Sequence, residues 1–354
     1  MIDLLPAGRE AREESILRLR PSRNAVDPFR PYGFFVEEEP RADCGTDRVA
    51  TIFLTNRECP WRCLMCDLWK NTLESPTPKG AIPAQIRYAL ERLPSANVLK
   101  LYNAGSFFDR AAIPCEDHGE IASLARGFER VVVECHPALV GDDCLRFRDL
   151  LGSSQLQVAL GLETANAEIL RRLNKRMTLA DFGTAASFLL RNRISLRVFV
   201  LVGLPFLRRE EWAGATRASV ELSFRAGAEV VSLIPTRLGN GAMEELQRRG
   251  EFEPPLLSDL ETAMGDFLEG EEGNSPAVGS AHRETAMGNL LEGKERKTRS
   301  ASVVLADLWN ADALAAPACC GVARIERLRS MNLLQRSLPP PPCPSCLGLS
   351  RTGA

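Results

Sequence analysis

Residues 55–66 read Thr55-Asn56-Arg57-Glu58-Cys59-Pro60-Trp61-Arg62-Cys63-Leu64-Met65-Cys66. Three cysteines in C-x3-C-x2-C spacing directly follow the apolar run Val49-Ala50-Thr51-Ile52-Phe53-Leu54-Thr55, which predicts a buried strand. Three thiolates on one short loop can hold three corners of an Fe4S4 cube, because thiolate is the soft ligand such clusters need. The fourth iron then lacks a protein ligand and can take a substrate or a cofactor. Structural zinc would want four ligands, usually as two C-x2-C or H-x3-H pairs, and no such partner lies near this loop. Three buried thiols packed as small apolar groups are the plainer alternative. Pro60, Trp61 and Arg62 between the first two cysteines do not read as a core strand.

Beyond the loop, strand and helix patterns alternate. Residues 82–93 have helical spacing, and 97–102, 131–134, 156–163, 196–203 and 229–234 read as further strands with helical segments between them. Strands that are apolar throughout and alternate with helices predict a parallel sheet covered on both faces. Six such units fall short of the eight that close a full barrel. The expected fold class is therefore α/β, a partial (β/α)6 barrel of parallel strands with N- and C-terminal extensions. Polar or small residues collect after consecutive strands: the cysteine loop, Asn103-Ala104-Gly105-Ser106, Glu134-Cys135-His136-Pro137 and Glu163-Thr164. In parallel α/β folds sites form at the carboxyl ends of strands, so these groups are candidates for one mouth.

The chain divides into an extension over residues 1–45, a core over 46–255, an acidic insertion over 256–300 and a cysteine-containing extension over 301–354. The first is charged and Pro-interrupted, with Glu37-Glu38-Glu39-Pro40, and reads as a cover packed over the barrel with no chemistry of its own. Residues 261–270 recur as 284–293, which reads as a local duplication making a mobile acidic insertion. At the C-terminus, Cys343-Pro344-Ser345-Cys346 has the pair spacing usual for zinc. Cys320 or Cys319 could complete a second metal site, for zinc or another iron-sulfur cluster, with free thiols the alternative.

Apolar residues make up 45% of the 354 and charged residues 25%, close to the globular average, which argues against general disorder. The stretch 198–206 is far shorter than a membrane span, and residues 1–14 lack the apolar core of a signal peptide. The expectation is a cytoplasmic chain with no membrane partner. Eleven cysteines, an odd number, do not suggest a disulfide framework there. A net charge of −2 confines any nucleic-acid contact to a local patch. The candidate is the stretch from Glu168 to Glu210, with nine Arg or Lys against three Asp or Glu; a solvated helix face is the default explanation and a phosphate-binding patch for RNA the sharper one.

With the triplet after the first strand of a six-unit α/β core, residues 48–255 resemble the radical S-adenosylmethionine (radical SAM) superfamily. Gly161-Leu162-Glu163-Thr164, Leu173-Asn174-Lys175 and Leu201-Val202-Gly203-Leu204-Pro205 resemble its branch containing the Elongator catalytic subunit and oxygen-independent coproporphyrinogen oxidase. A closer likeness is to the archaeal radical SAM enzyme of archaeosine synthesis. It rests on residues 103–109, Glu134 with Pro137, residues 161–164, Asn174-Lys175 and Phe252-Glu253-Pro254-Pro255.

The resemblance implies that Cys59, Cys63 and Cys66 hold a [4Fe-4S] cluster whose open iron is chelated by the methionine part of SAM. It places Asn103, Ala104, Gly105 and Ser106 near the SAM amino group, and Glu134, Glu163 and Lys175 as further SAM contacts, with Met65 over the adenine. The superfamily's usual aromatic is replaced by Met65, the branch's acidic residue in the fifth strand by Phe199, and a frequent Arg by His136. The implied activity is reductive cleavage of SAM followed by hydrogen abstraction, with a reducing partner such as flavodoxin or ferredoxin. The archaeosine likeness points to a modified tRNA nucleoside as substrate. A small molecule or peptide is the second enzyme reading, and a non-catalytic iron-sulfur protein or a catalytically dead relative the reading of another class.

Overall fold

A computed structural model describes residues 6, 8–41, 43, 45–269, 302–314 and 319–343. These residues form one sheet whose strands are neighbours in chain order: β1 (Gly33–Pro40), β2 (Thr46–Leu54), β3 (Val98–Asn103), β4 (Arg130–Cys135), β5 (Gln155–Glu163), β6 (Ser195–Val202), β7 (Val230–Pro235) and β8 (Val303–Ala306). From β2 onward every pairing is parallel, and β1 adds antiparallel to β2. The six strands expected from sequence fall on β2 to β7, and the partial barrel stands. Two strands were not expected: β1 from the N-terminal extension and β8 from the C-terminal one.

Successive side chains on a strand point to opposite faces, and here both faces are covered. Ile52, Leu101, Val133, Leu160, Val198 and Leu233 belong to the large apolar core. The residues alternating with them turn inward, where Val49, Val98, Val132 and Ala159 cluster with Tyr102 and Phe199. Phe199 meets Tyr102 edge-to-face with centroids 5.8 Å apart.

One end of the interior is filled by charge. Glu37 and Glu39 of β1 reach Lys100 of β3, with Lys100 Nζ 3.0 Å from Glu37 Oε1 and also bonded to Glu39. Arg197 of β6 forks onto Glu39 at 2.7 and 3.2 Å and its Nε meets Gln157 at 3.3 Å. Burial pushes the Glu39 carboxyl up, but Arg197 and Lys100 outweigh it and hold the group well below the usual carboxylate range. A buried carboxylate with two cations in bonding contact is tolerable where a lone one is not. The Glu-rich stretch is thus an edge strand that turns Glu37 and Glu39 toward the barrel interior.

At the other margin of the sheet, β8 is backed by the helix Gly321–Leu334, which also packs against β1. Asn332 Oδ1 accepts from the Ala306 N–H at 2.7 Å and its Nδ2 donates to the Ala306 carbonyl at 2.9 Å. Gln335 does the same for Val304 at 3.0 and 2.9 Å. Two side-chain amides thereby satisfy the backbone of an edge strand that would otherwise invite pairing with another chain. The first copy of the internal duplication is the packed helix Leu257–Glu269, burying Leu257, Leu260, Met264 and Leu268. The second copy lies outside the described residues.

Candidate functional site

The cysteine loop leaves β2 at its carboxyl end and is held by backbone and amide bonds, not by regular structure. Asn56 Oδ1 accepts from the Ala104 N–H at 3.2 Å and its Nδ2 reaches the Ala104 carbonyl at 3.4 Å, coupling the loop to the turn after β3. The Leu64 N–H donates to the Leu173 carbonyl at 2.8 Å, and Asn174 Nδ2 to the Arg62 carbonyl at 2.7 Å. Asn240 Nδ2 spans the Leu64 and Cys66 carbonyls at 2.8 and 3.2 Å. Glu58, 9% exposed, gathers Arg20 at 2.7 Å, Arg62 at 3.0 Å and Arg23. The N-terminal segment therefore anchors the loop. Asn56, Glu58, Asn240 and Arg20 went unnoticed in the sequence because single amides and salt bridges to distant residues leave no local pattern.

Burial pushes all three loop thiols up to about 12. Each also feels another member of the triplet, so the three share one neighbourhood. Among the described residues, the group of three or more metal-ligating side chains whose donor atoms all lie within 4.8 Å of one another is Cys319, Cys320 and Cys343. One tetrahedral ion with metal–sulfur bonds of ~2.3 Å holds its sulfurs roughly 3.8 Å apart. A cluster gives each thiolate its own iron, and three soft thiolates in one buried neighbourhood are a donor set that fits it.

Lys175 Nζ lies 2.5 Å from Glu163 Oε1, both side chains largely buried. Burial disfavours the Lys175 charge, but Glu163, Cys63 and Cys59 outweigh it and raise the ammonium above its ordinary range. Glu163 itself sits at φ +66°, beside the irregularity in the β5–β6 register between Gly161 and Glu163. A Cβ on Gly161 would lie 2.4 Å from Glu163 Oε1 and 2.5 Å from Lys175 Nζ, so the ion pair rests on a strand position only glycine leaves open. Glu134 is half-buried and its carboxyl is pushed up to about 8, mainly by burial, with Glu163 adding and Lys175 opposing. Tyr32, at the start of β1, feels Glu134, Asp67 and Cys66 and joins the same mouth; it was not among the sequence candidates.

The turn after β3 is divided. Asn103 is buried, and both atoms of its amide lack a hydrogen-bond partner. Gly105 adopts φ +131°, and a Cβ there would sit 2.9 Å from Cys59 Cβ, so glycine lets this backbone lie against the first cysteine. Ser106 is turned to the Cys135 sulfur at 3.4 Å. Met65 packs against two apolar clusters, one around Leu64, Met243 and Phe252 and one around Leu173, Leu201 and Leu204.

His136 stacks on Trp61 with centroids 3.9 Å apart, while Nδ1 accepts from the Ala138 N–H at 3.2 Å and Nε2 donates to the Lys175 carbonyl at 3.0 Å. Burial and Lys175 bring the imidazole down to about 4, so it is neutral and ties the cysteine loop to the Lys175 segment.

Of the nine cations in the basic stretch, seven have carboxylate partners: Arg171 with Glu168, Arg172 with Glu251, Lys175 with Glu163, Arg176 with Glu13, Arg197 with Glu39, Arg208 with Glu210 and Glu211, and Arg209 with Glu253 and Asp259. At the C-terminus, Cys319, Cys320 and Cys343 bring their sulfurs within 4.8 Å of one another. Cys346 lies outside the described residues. No helix among the described residues is long and apolar enough to cross a membrane.

No family model matches the chain, and no curated protein does. Solved structures do. A queuine lyase from Clostridium spiroforme bound to SAM and queuine shares 19% identity, over 61% of this chain and 87% of its own, with a TM-score of 0.44. The Escherichia coli coproporphyrinogen III oxidase, a radical SAM enzyme, shares 12% over 74% of this chain and 55% of its own, at 0.42. Elp3 of the archaeon Methanocaldococcus infernus shares 15% over 51% and 49%, at 0.41. This chain spans less than two thirds of the latter two. A three-cysteine loop leaving the first parallel strand, at the mouth of a partial barrel, is the arrangement that the resemblance to the radical SAM superfamily implies.

Proposed function

We propose that this chain is a radical SAM enzyme in which Cys59, Cys63 and Cys66 hold a [4Fe-4S] cluster, and that its substrate is a modified tRNA nucleoside. The observation that carries the class is the cysteine triplet sharing one mouth with the Glu163–Lys175 pair and Glu134. When bound and reduced by one electron, cluster and SAM together supply a 5′-deoxyadenosyl radical, with methionine as the other product, for hydrogen abstraction.

The protein's own work is to bind, orient and exclude water. Lys175 offers a buried cation for the SAM carboxylate, and Glu163 holds that ammonium in place at 2.5 Å. Glu134, at about 8, keeps its proton at neutral pH and offers both an O–H donor and a carbonyl acceptor to a polar ligand. The Asn103 amide offers a donor and an acceptor already stripped of water. A buried polar group without a partner costs ~1–3 kcal/mol, which a ligand bonding to it recovers. Gly105 supplies the close backbone surface beside Cys59.

The nucleoside reading rests on the sequence likeness of residues 103–109, 161–164 and 252–255 to the archaeosine enzyme. One observation favours a small molecule instead: seven cations of the basic stretch are already ion-paired, leaving less charge for a phosphate backbone. Incubating the anaerobically reconstituted protein with SAM, dithionite and either bulk tRNA or a low-molecular-weight metabolite fraction separates the two. Stimulation of 5′-deoxyadenosine formation by tRNA, weakening as salt rises, supports the nucleoside reading. Stimulation by metabolites alone overturns it.

A further inference from the structure

The C-terminal cysteines serve no step of the reaction above, yet they are assembled as a ligand set. Cys319 and Cys320 stand at the start of the helix Gly321–Leu334, and Cys343 returns to them from the chain beyond it. All three sulfurs lie within 4.8 Å of one another, with Cys319 and Cys343 at 3.2 Å. A tetrahedral site with zinc–sulfur bonds of ~2.3 Å holds its sulfurs roughly 3.8 Å apart, and three thiols gathered within 4.8 Å can close on such an ion with small side-chain shifts. Cys320 and Cys343 are only 3% and 2% exposed.

Two features favour the thiolate form that a metal requires. Cys320 is the N-cap residue of a 14-residue helix, where the aligned N–H groups favour negative charge. Arg324 Nε donates to Cys320 Sγ at 3.4 Å. An all-sulfur donor set selects zinc or iron-sulfur over hard cations, and the tight spacing selects a single ion. In the sequence, Cys346 follows Cys343 at the C-x2-C spacing of zinc pairs, and it lies outside the described residues.

We infer that Cys319, Cys320 and Cys343 bind a structural zinc ion that ties the C-terminal tail to the helix closing the barrel's open margin. That helix carries Asn332 and Gln335, which satisfy the edge of β8, and it packs against β1. Its Arg327 and Arg324 meet the buried Glu261, and Arg327 Nε also bonds the Leu338 carbonyl of the tail at 2.8 Å. The ion joins the start of the helix to the tail that runs back from its end, so it locks the helix on the sheet.

The test uses the full chain with Cys59, Cys63 and Cys66 changed to Ala, so that cluster iron does not obscure the count. Metal analysis of this protein should find about one zinc per chain. Cys320→Ser or Cys343→Ser in the same background should lower it at least about tenfold, while Cys115→Ser, an exposed cysteine elsewhere, leaves it unchanged. Because a serine variant could misfold, cobalt is also exchanged into the unaltered C-terminal site. Thiolate-to-cobalt charge-transfer bands with tetrahedral ligand-field absorption are expected. Absence of zinc and of those bands, iron in place of zinc, or a Cys319–Cys343 disulfide in the isolated protein would each overturn the inference.

Discussion

Gly161→Ala isolates the ion pair at the mouth with a single methyl group. Its Cβ would lie 2.4 Å from Glu163 Oε1 and 2.5 Å from Lys175 Nζ, whereas ordinary contact begins at 3.4 Å. Both side-chain ends must retreat by roughly 1 Å, which displaces the bonded pair from its present position. The backbone of residue 161 is not in the left-handed region, so alanine brings no strain of that kind. Gly→Ala at a compatible position is worth up to about 1 kcal/mol in favour of folding. Fold and iron content should therefore persist. A displaced charge-assisted bond is worth about 1.5–3 kcal/mol, so SAM binding should weaken about 10- to 100-fold. The assay is equilibrium titration of SAM into reconstituted protein, with iron measured on the same sample. Lys175→Met should give a loss of similar size, and the double variant no further loss, because both changes remove one interaction. SAM affinity within twofold of wild type at full iron content would refute the role given to this pair.

Other consequences are independent of that pair. Glu58→Ala strands Arg20, Arg23 and Arg62 beside the cysteine loop and should cost about 3–5 kcal/mol in urea unfolding, together with faster loss of iron from reconstituted protein. Unchanged unfolding would mean the N-terminal segment does not anchor the loop. Glu39→Ala leaves Lys100 and Arg197 buried without their shared carboxylate; a loss of similar size is expected, read as a lower urea midpoint, and no loss would contradict the interior reading of β1. Glu134 is raised in the folded chain above its unfolded value, so the folded state holds an extra proton in between. Its contribution is full below about pH 4.5 and is lost as pH rises through about 8. Cluster-free protein should lose stability across that window, and Glu134→Gln should flatten the curve; an unchanged slope would refute the shift.

Much of the core was legible because parallel strands are apolar on both faces. Runs such as Val131-Val132-Val133 announce themselves. β1 was not, because Glu37 and Glu39 point inward to Lys100 and Arg197, and interior charge imitates surface charge until its partners, more than 60 residues away, are in view. The two-residue alternation of Phe34 and Val36 with Phe35, Glu37 and Glu39 was the signal available. β8 is four residues long and supported by amides from another element, which gives it no pattern of its own. At the site, the cysteines, Glu134, Glu163 and Lys175 could be named from spacing and resemblance. The packing that fixes them could not: His136 pinned between Trp61 and the Lys175 carbonyl, Asn240 under the loop, and Tyr32 arriving from β1.

The most direct test is made on anaerobically reconstituted protein given SAM and dithionite, with 5′-deoxyadenosine quantified by chromatography beside a Cys63→Ala control and SAM binding measured on the same preparations. The account predicts iron-dependent SAM binding and 5′-deoxyadenosine well above the control. A reconstituted protein that neither binds SAM nor forms 5′-deoxyadenosine would contradict it and leave a non-catalytic iron-sulfur protein in its place.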